Sequence, residues 1–113
     1  MKKVHEHRAD PWGCRVLFTQ DSAAMRRLAR QYDLSFSPDP ETEGLCWNAG
    51  STFVIWVARG AGAGALVHEC THASLDILDW AGITAHQGQG EPMCYTLQRM
   101  VERFLPHLLP PTP

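Results

Sequence analysis

The stretch His68-Glu69-Cys70-Thr71-His72 lies between apolar residues on both sides and predicts the central helix of the fold, over residues 64–81. Residues four apart lie on the same side of an α-helix, so both imidazoles can reach one metal ion. Glu69, turned about 100° away, can reach a water molecule on that metal. The spacing therefore predicts a catalytic zinc site with His68 and His72 as ligands and Glu69 as general base.

The same three residues have a simpler interpretation without metal. His68 and His72 could be buried helix histidines with separate hydrogen-bond partners, and Glu69 could be a solvated carboxylate. Two imidazoles inside an apolar helix would each need a partner to offset the loss of water. A shared metal satisfies both, which favours the zinc hypothesis.

A catalytic zinc usually has three protein ligands, so a third donor is expected further along the chain. Glu91 begins a second amphipathic pattern over residues 91–105, with Pro92 placed early where its missing N–H costs little. His86 lies nearer, in a loop rich in Gly and Gln. We favour Glu91, although an acid at a helix N-terminus is also stabilised without metal. Tyr95, one turn later, is either a catalytic hydrogen-bond donor near the metal or a packing residue.

These motifs resemble the gluzincin branch of the zincin metallopeptidases, in which H-E-x-x-H on one helix is followed by a ligating glutamate on the next. The run from Leu66 to Ala73, the turn at Gly82-Ile83 and the segment Gly90-Glu91-Pro92 with Tyr95 look like small metallopeptidase-like proteins of tailed phages and prophages. The resemblance covers about residues 44–105. It implies zinc, a protein or peptide substrate, and residues 52–58 as the strand along which a substrate pairs.

Two functions follow from these residues. The first is a zinc-dependent metallopeptidase that hydrolyses peptide bonds, with Glu69 taking a proton from water and passing it to the leaving amine. The alternative is a catalytically inactive, zinc-stabilised binding or assembly module, with a phage or host protein as partner. The intact Glu69 favours the enzyme, since a structural zinc site has no use for a base.

Length and composition limit the other possibilities. The 113 residues predict one domain without a separate substrate-binding lobe, and the net charge of −2 gives no basic field for nucleic acid. No apolar segment is long enough for a bilayer, and residues 1–10 lack the apolar core of a signal peptide, so we expect a cytoplasmic protein. If phage-encoded, it would act in the host-cell cytosol. The four cysteines are scattered and are expected to be reduced.

The remaining segments predict an α+β fold: a small, mostly antiparallel sheet packed on the motif helix, with a second helix at the C-terminal end. A strand candidate precedes a helix that starts after Asp21-Ser22, and two further strand candidates form a hairpin around Asn48-Ala49-Gly50-Ser51. An N-terminal arm and a proline-rich tail are expected to be less ordered. The predicted strands are 14–19, 45–48 and 52–57, the first helix is 22–32, the arm is 1–12 and the tail is 106–113.

Overall fold

The structure is a computed structural model and describes residues 2–111. The described chain has two strands before the first helix, two more before the second helix, and a third α-helix at the end; one 3-10 turn precedes this last helix and another follows it. The elements are β1 (Val4–Ala9), β2 (Cys14–Thr19), α1 (Ser22–Tyr32), β3 (Gly44–Ala49), β4 (Thr52–Val57), α2 (Gly62–Trp80) and α3 (Glu91–Phe104), with 3-10 turns at Gln87–Gly90 and Leu105–His107.

The four strands form one mixed sheet in the order β1-β2-β4-β3. β1 pairs antiparallel with β2, and β3 pairs antiparallel with β4, whereas β2 and β4 run parallel. The parallel pair requires a crossover, which α1 and β3 provide between the two strands. β3 and β1 are therefore the two edges of the sheet.

Helices cover both faces of this sheet. Alternate residues of β4 point to opposite faces, so that Val54 and Trp56 pack with α1, while Phe53, Ile55 and Val57 pack with α2 and α3. All five of these side chains are buried. The continuous apolar run of β4 is thus explained by a strand with helices on both sides.

Local signals account for the bounds of α1. The carboxylate of Asp21 accepts a hydrogen bond from the backbone N–H of Ala24 at 2.9 Å and caps the helix start. The helix ends at Tyr32, and its C-cap residue, Asp33, has a φ of 56° in the left-handed region. Its apolar face packs on the sheet through Met25 and Leu28, which are both buried.

The α+β prediction is confirmed, and the strand of residues 14–19 and the first helix have the predicted bounds. The motif helix begins two residues earlier than predicted, at Gly62, and ends at Trp80. The last helix begins at Glu91 as predicted and ends at Phe104.

Three predictions about organisation are wrong. Residues 4–9 of the predicted N-terminal arm form β1, with partners for every residue on β2. Residues 52–58 are not a strand open to substrate, because β4 is hydrogen-bonded on both sides and the edge is β3. The predicted tail packs on the domain: the N–H of Leu109 donates to Gln20 at 2.7 Å, and Pro111 lies against Gly60. The last two residues of that predicted tail, 112–113, and Met1 lie outside the described residues.

Across residues 2–111, every helix is too short or too polar to span a bilayer.

Candidate functional site

The two motif histidines lie side by side on the exposed face of α2. The ring centroids of His68 and His72 are 4.9 Å apart, and their planes are inclined by 69°. Both rings are solvent-exposed, whereas Leu66, Cys70 and Ala73 on the opposite side of the helix are fully buried in the core. The α-helical spacing therefore places two imidazoles where one ion from solvent can reach both.

Glu69 lies between this exposed face and the sheet. Its side chain is only 7% exposed, and it leans on the first residue of the edge strand, Gly44. A Cβ atom at Gly44 would be 2.9 Å from both Cγ and Oε2 of Glu69, and 3.1 Å from the backbone oxygen of Trp56. The position of the carboxylate thus depends on a residue without a side chain at the start of β3.

The surroundings of Glu69 act on its pKa in two directions. Burial raises the pKa above its ordinary value, because the charged form loses water, while His68 and His72 each lower it. A raised pKa brings the carboxylate closer to the range in which a group can accept and return a proton near neutral pH.

Two thiols lie near the same carboxylate. Burial raises the pKa of Cys46 to about 12, with further contributions from Asp76, Glu69 and Cys70. Burial followed by the charge of Glu69 also raises the pKa of Cys70 to about 12. All four cysteines are free, and the raised pKa values keep Cys46 and Cys70 as thiols at neutral pH in the metal-free protein, which disfavours either as a nucleophile.

An open groove of about 340 Å³ runs beside the motif between the start of α2 and the start of β3. His68 and Glu69 line one wall, and Thr42, Glu43 and Gly44 line the other. The groove gives a polar ligand access to the face of α2 that carries the motif.

The proposed third ligand lies in a different depression. Glu91 and Tyr95 line a cavity of about 370 Å³ together with Trp12 and Arg99. The indole N–H of Trp12 donates to the hydroxyl of Thr96 at 2.9 Å, which ties the β1–β2 turn to the first turns of α3. Glu91 and His86 are exposed, and Tyr95 is 55% exposed and not a core residue.

The fit of these residues to zinc is partial. Two imidazoles on one helix face and a nearby carboxylate are suitable ligands and a suitable base. However, within residues 2–111 no group of three His, Cys, Asp or Glu side chains is close enough to hold a metal ion. The structure brings together His68, Glu69 and His72, and leaves Glu91 and His86 as separate donors.

Sequence reasoning missed one residue of this region. Gly44 carries no local signal, because its importance arises from contact with a helix that comes later in the chain.

Comparisons of the chain with protein-family models, curated proteins and solved structures gave no match.

Proposed function

We propose that the chain is a zinc-dependent metallopeptidase. One observation supports this more than any other: two adjacent, exposed imidazoles of α2 lie beside a buried carboxylate of the same helix, and that carboxylate lies against an edge strand. His68 and His72 are not buried as the sequence predicted: both are open to solvent, so water can hydrate them without a metal and an ion from solvent can reach both.

Each residue has a chemical role in the proposed reaction. His68 and His72 would hold the metal through neutral ring nitrogens, with Glu91 as the third ligand. Zinc bound there supplies a Lewis acid that polarises a peptide carbonyl and makes water more acidic. Glu69 accepts the proton from water and returns it to the leaving amine. Tyr95 would donate a hydrogen bond to the developing oxyanion after the start of α3 has moved with Glu91 toward the histidines.

A peptide substrate has a place to pair beside the motif. β3 is an edge strand next to α2, and its outer backbone groups are free of strand partners among the described residues. An extended peptide can add to such an edge through main-chain hydrogen bonds. The opposite edge, β1, lies against α3, and its Glu6 carbonyl accepts a hydrogen bond from Arg103 at 2.8 Å. We therefore infer that substrate lies along β3 and the groove that begins at Gly44.

The third ligand requires a change in the connection before α3. Gly88, Gln89 and Gly90 all have positive φ, and Gln89, at 59°, is the residue for which that conformation is costly. Rearrangement of these three residues would move Glu91, which follows directly. We propose that metal binding draws Glu91 toward the histidines through this segment, with His86 as the competing donor from the same connection.

The alternative is a zinc-stabilised binding module, working with a phage or host protein in the cytosol of a host cell. A structural zinc site takes four protein ligands and leaves no position for water. Zinc held by His68, His72, Glu91 and His86 together would therefore favour this alternative. It predicts zinc binding that stabilises the fold without peptide hydrolysis.

Metal content tests the ligand set. The purified wild type is compared with His72→Ala, Glu91→Ala and His86→Ala by elemental mass spectrometry, with Asp79→Ala, an exposed acid of α2, as the matched control. We expect about one zinc per chain in the wild type and the control, and loss of zinc in His72→Ala and Glu91→Ala. Zinc retained in Glu91→Ala but lost in His86→Ala would transfer the third ligand to His86. A wild type that takes up no zinc, even after reconstitution, would end the proposal.

Turnover distinguishes the enzyme from the binding module. Glu69→Gln keeps the size of the side chain and is expected to retain zinc while losing cleavage of a peptide library. Cleavage that persists in Glu69→Gln would remove the residue from its role as base. Zinc-dependent stability with no cleavage by the wild type would establish the second function.

A further inference from the structure

A second cavity, of about 220 Å³, lies where β1 and the end of β2 meet the C-terminal segment. It shares no residue with the groove at His68 or with the cavity at Glu91. Its lining contains five basic side chains and a single carboxylate. These are Lys2, Lys3, His5, Arg59, His107 and Asp21.

The carboxylate is already used by the fold. One oxygen of Asp21 accepts the N–H of Ala24 at 2.9 Å as the cap of α1, and the other lies 3.7 Å from Nζ of Lys3. The negative charge of Asp21 is therefore paired with Lys3, and it does not neutralise the other cations of the cavity. Among the described residues, Lys2 and Arg59 have no ion-pair partner, which leaves two full positive charges at the cavity without compensation.

The guanidinium of Arg59 is held in place by its inner nitrogen. Its Nε donates to the carbonyl of Pro110 at 2.9 Å, and its two Nη groups make no hydrogen bond within the described chain. A guanidinium fixed on one side offers a pair of donors to an oxyanion at low cost in side-chain entropy.

Two imidazoles form another wall. The rings of His5 and His107 are stacked with centroids 3.9 Å apart and planes 15° apart. Nη1 of Arg103 lies 3.3 Å from Nε2 of His107, which places a further cation beside this wall. Burial lowers the pKa of His5, and the charges of His107, Lys2 and Arg103 lower it further. A bound anion would reverse this effect and favour protonation.

From this geometry we propose that the cavity is a binding site for a phosphate group, carried by free phosphate or by a small phosphate ester. Several converging cations favour a dianion over a single carboxylate, and a fixed guanidinium suits phosphate oxygens. The volume lies below the ~300–1,000 Å³ of pockets for drug-sized ligands, so the ligand is small. Phe18 and Leu108 give the cavity apolar surface that a short organic group can contact.

The test is a titration of the wild-type protein with inorganic phosphate, followed by NMR signals of the histidine rings at constant ionic strength. We expect saturable shifts of His5 and His107, while His68 and His72, at the proposed zinc site, stay unchanged. Lys2→Gln touches no described hydrogen bond and serves as the first variant, and Arg59→Gln as the second. Each is expected to weaken binding by about tenfold, the loss expected for one charge-assisted contact.

The control is Arg26→Gln, an exposed arginine on α1 outside the cavity, which should bind phosphate as the wild type does. A parallel titration with glycerol 3-phosphate identifies the source of the group: tighter binding than phosphate indicates an ester, and equal or weaker binding indicates the free ion. Shifts that do not saturate and are reproduced by sodium chloride would overturn the proposal. So would a Lys2→Gln protein that binds as tightly as the wild type.

Discussion

Replacing Gly44 by alanine tests whether the edge strand positions Glu69. The new methyl group would lie 2.9 Å from Cγ and Oε2 of Glu69 and 3.1 Å from the backbone oxygen of Trp56. The carboxylate can move, but the backbone of the central strand cannot move freely. Overpacking of this kind costs about 1–3 kcal/mol in the free energy of unfolding. We expect Gly44→Ala to be destabilised within that range.

A second glycine of the same groove provides the control. Gly64 lies in α2, and a Cβ atom there would meet nothing within 4 Å. Gly64→Ala is therefore expected to be neutral or more stable, by up to roughly 1 kcal/mol, because alanine favours the helix. Urea unfolding followed by tryptophan fluorescence measures both, with the buried Trp56 as a natural probe.

A double-mutant cycle assigns the cost to the contact with Glu69. Glu69→Ala removes both Cγ and Oε2, so that only the contact with Trp56 remains for the new methyl group. Gly44→Ala should then cost about 1 kcal/mol less in the Glu69→Ala background than in the wild type. Equal costs in the two backgrounds would refute the proposed contact. If the proposed peptidase activity is present, displacement of the carboxylate by about 1 Å in the wild-type background should also lower it roughly 100-fold.

Three further predictions concern other parts of the domain. Because burial raises the pKa of Glu69, the folded state binds its proton more tightly than the unfolded state, and stability falls as the pH rises through the folded pKa. In metal-free protein, Glu69→Gln should therefore become more stable relative to the wild type as the pH rises above 4.5, the ordinary pKa of glutamate. Urea unfolding at several pH values measures this, and a free-energy difference between the two proteins that does not change with pH would contradict it. The exposed Cys94 should react with Ellman's reagent in native protein much faster than Cys46 and Cys70, because burial raises the pKa of each of those two thiols to about 12. Equal rates for the three thiols would show that Cys46 and Cys70 are not shielded from solvent. Phe104→Ala empties a fully buried site between α3 and the sheet, so we expect a loss of about 3–5 kcal/mol, and a loss below about 1 kcal/mol would exclude that packing.

The elements that sequence reasoning placed well have local causes. The helix after Asp21 begins with a capping side chain, and the hairpin from β3 to β4 turns at Gly50, where φ is 67°. The side-by-side position of His68 and His72 follows from helical spacing alone. Such features need no information about distant residues.

The features that sequence reasoning missed depend on contacts between distant segments. The apolar run of β4 fits an edge strand or a central strand, and only the packing of α1 and α2 on opposite faces decides between them. β1 has no apolar alternation strong enough to indicate that it pairs with β2. The position of Glu91 depends on three left-handed residues before α3, and Gln89 among them carries no signal for that conformation.

The placement of Glu69 against an edge strand has a consequence for hydrogen exchange. β4 is bonded on both sides, so its amides should exchange only when the whole domain unfolds, whereas β3 is bonded on one side and can open by itself. Each such opening separates Gly44 from Glu69 and admits water to the carboxylate. The proton affinity of the proposed base is therefore coupled to the fraying of β3. A peptide that pairs with β3 would slow the exchange of the β3 amides and keep water away from the Glu69 carboxylate.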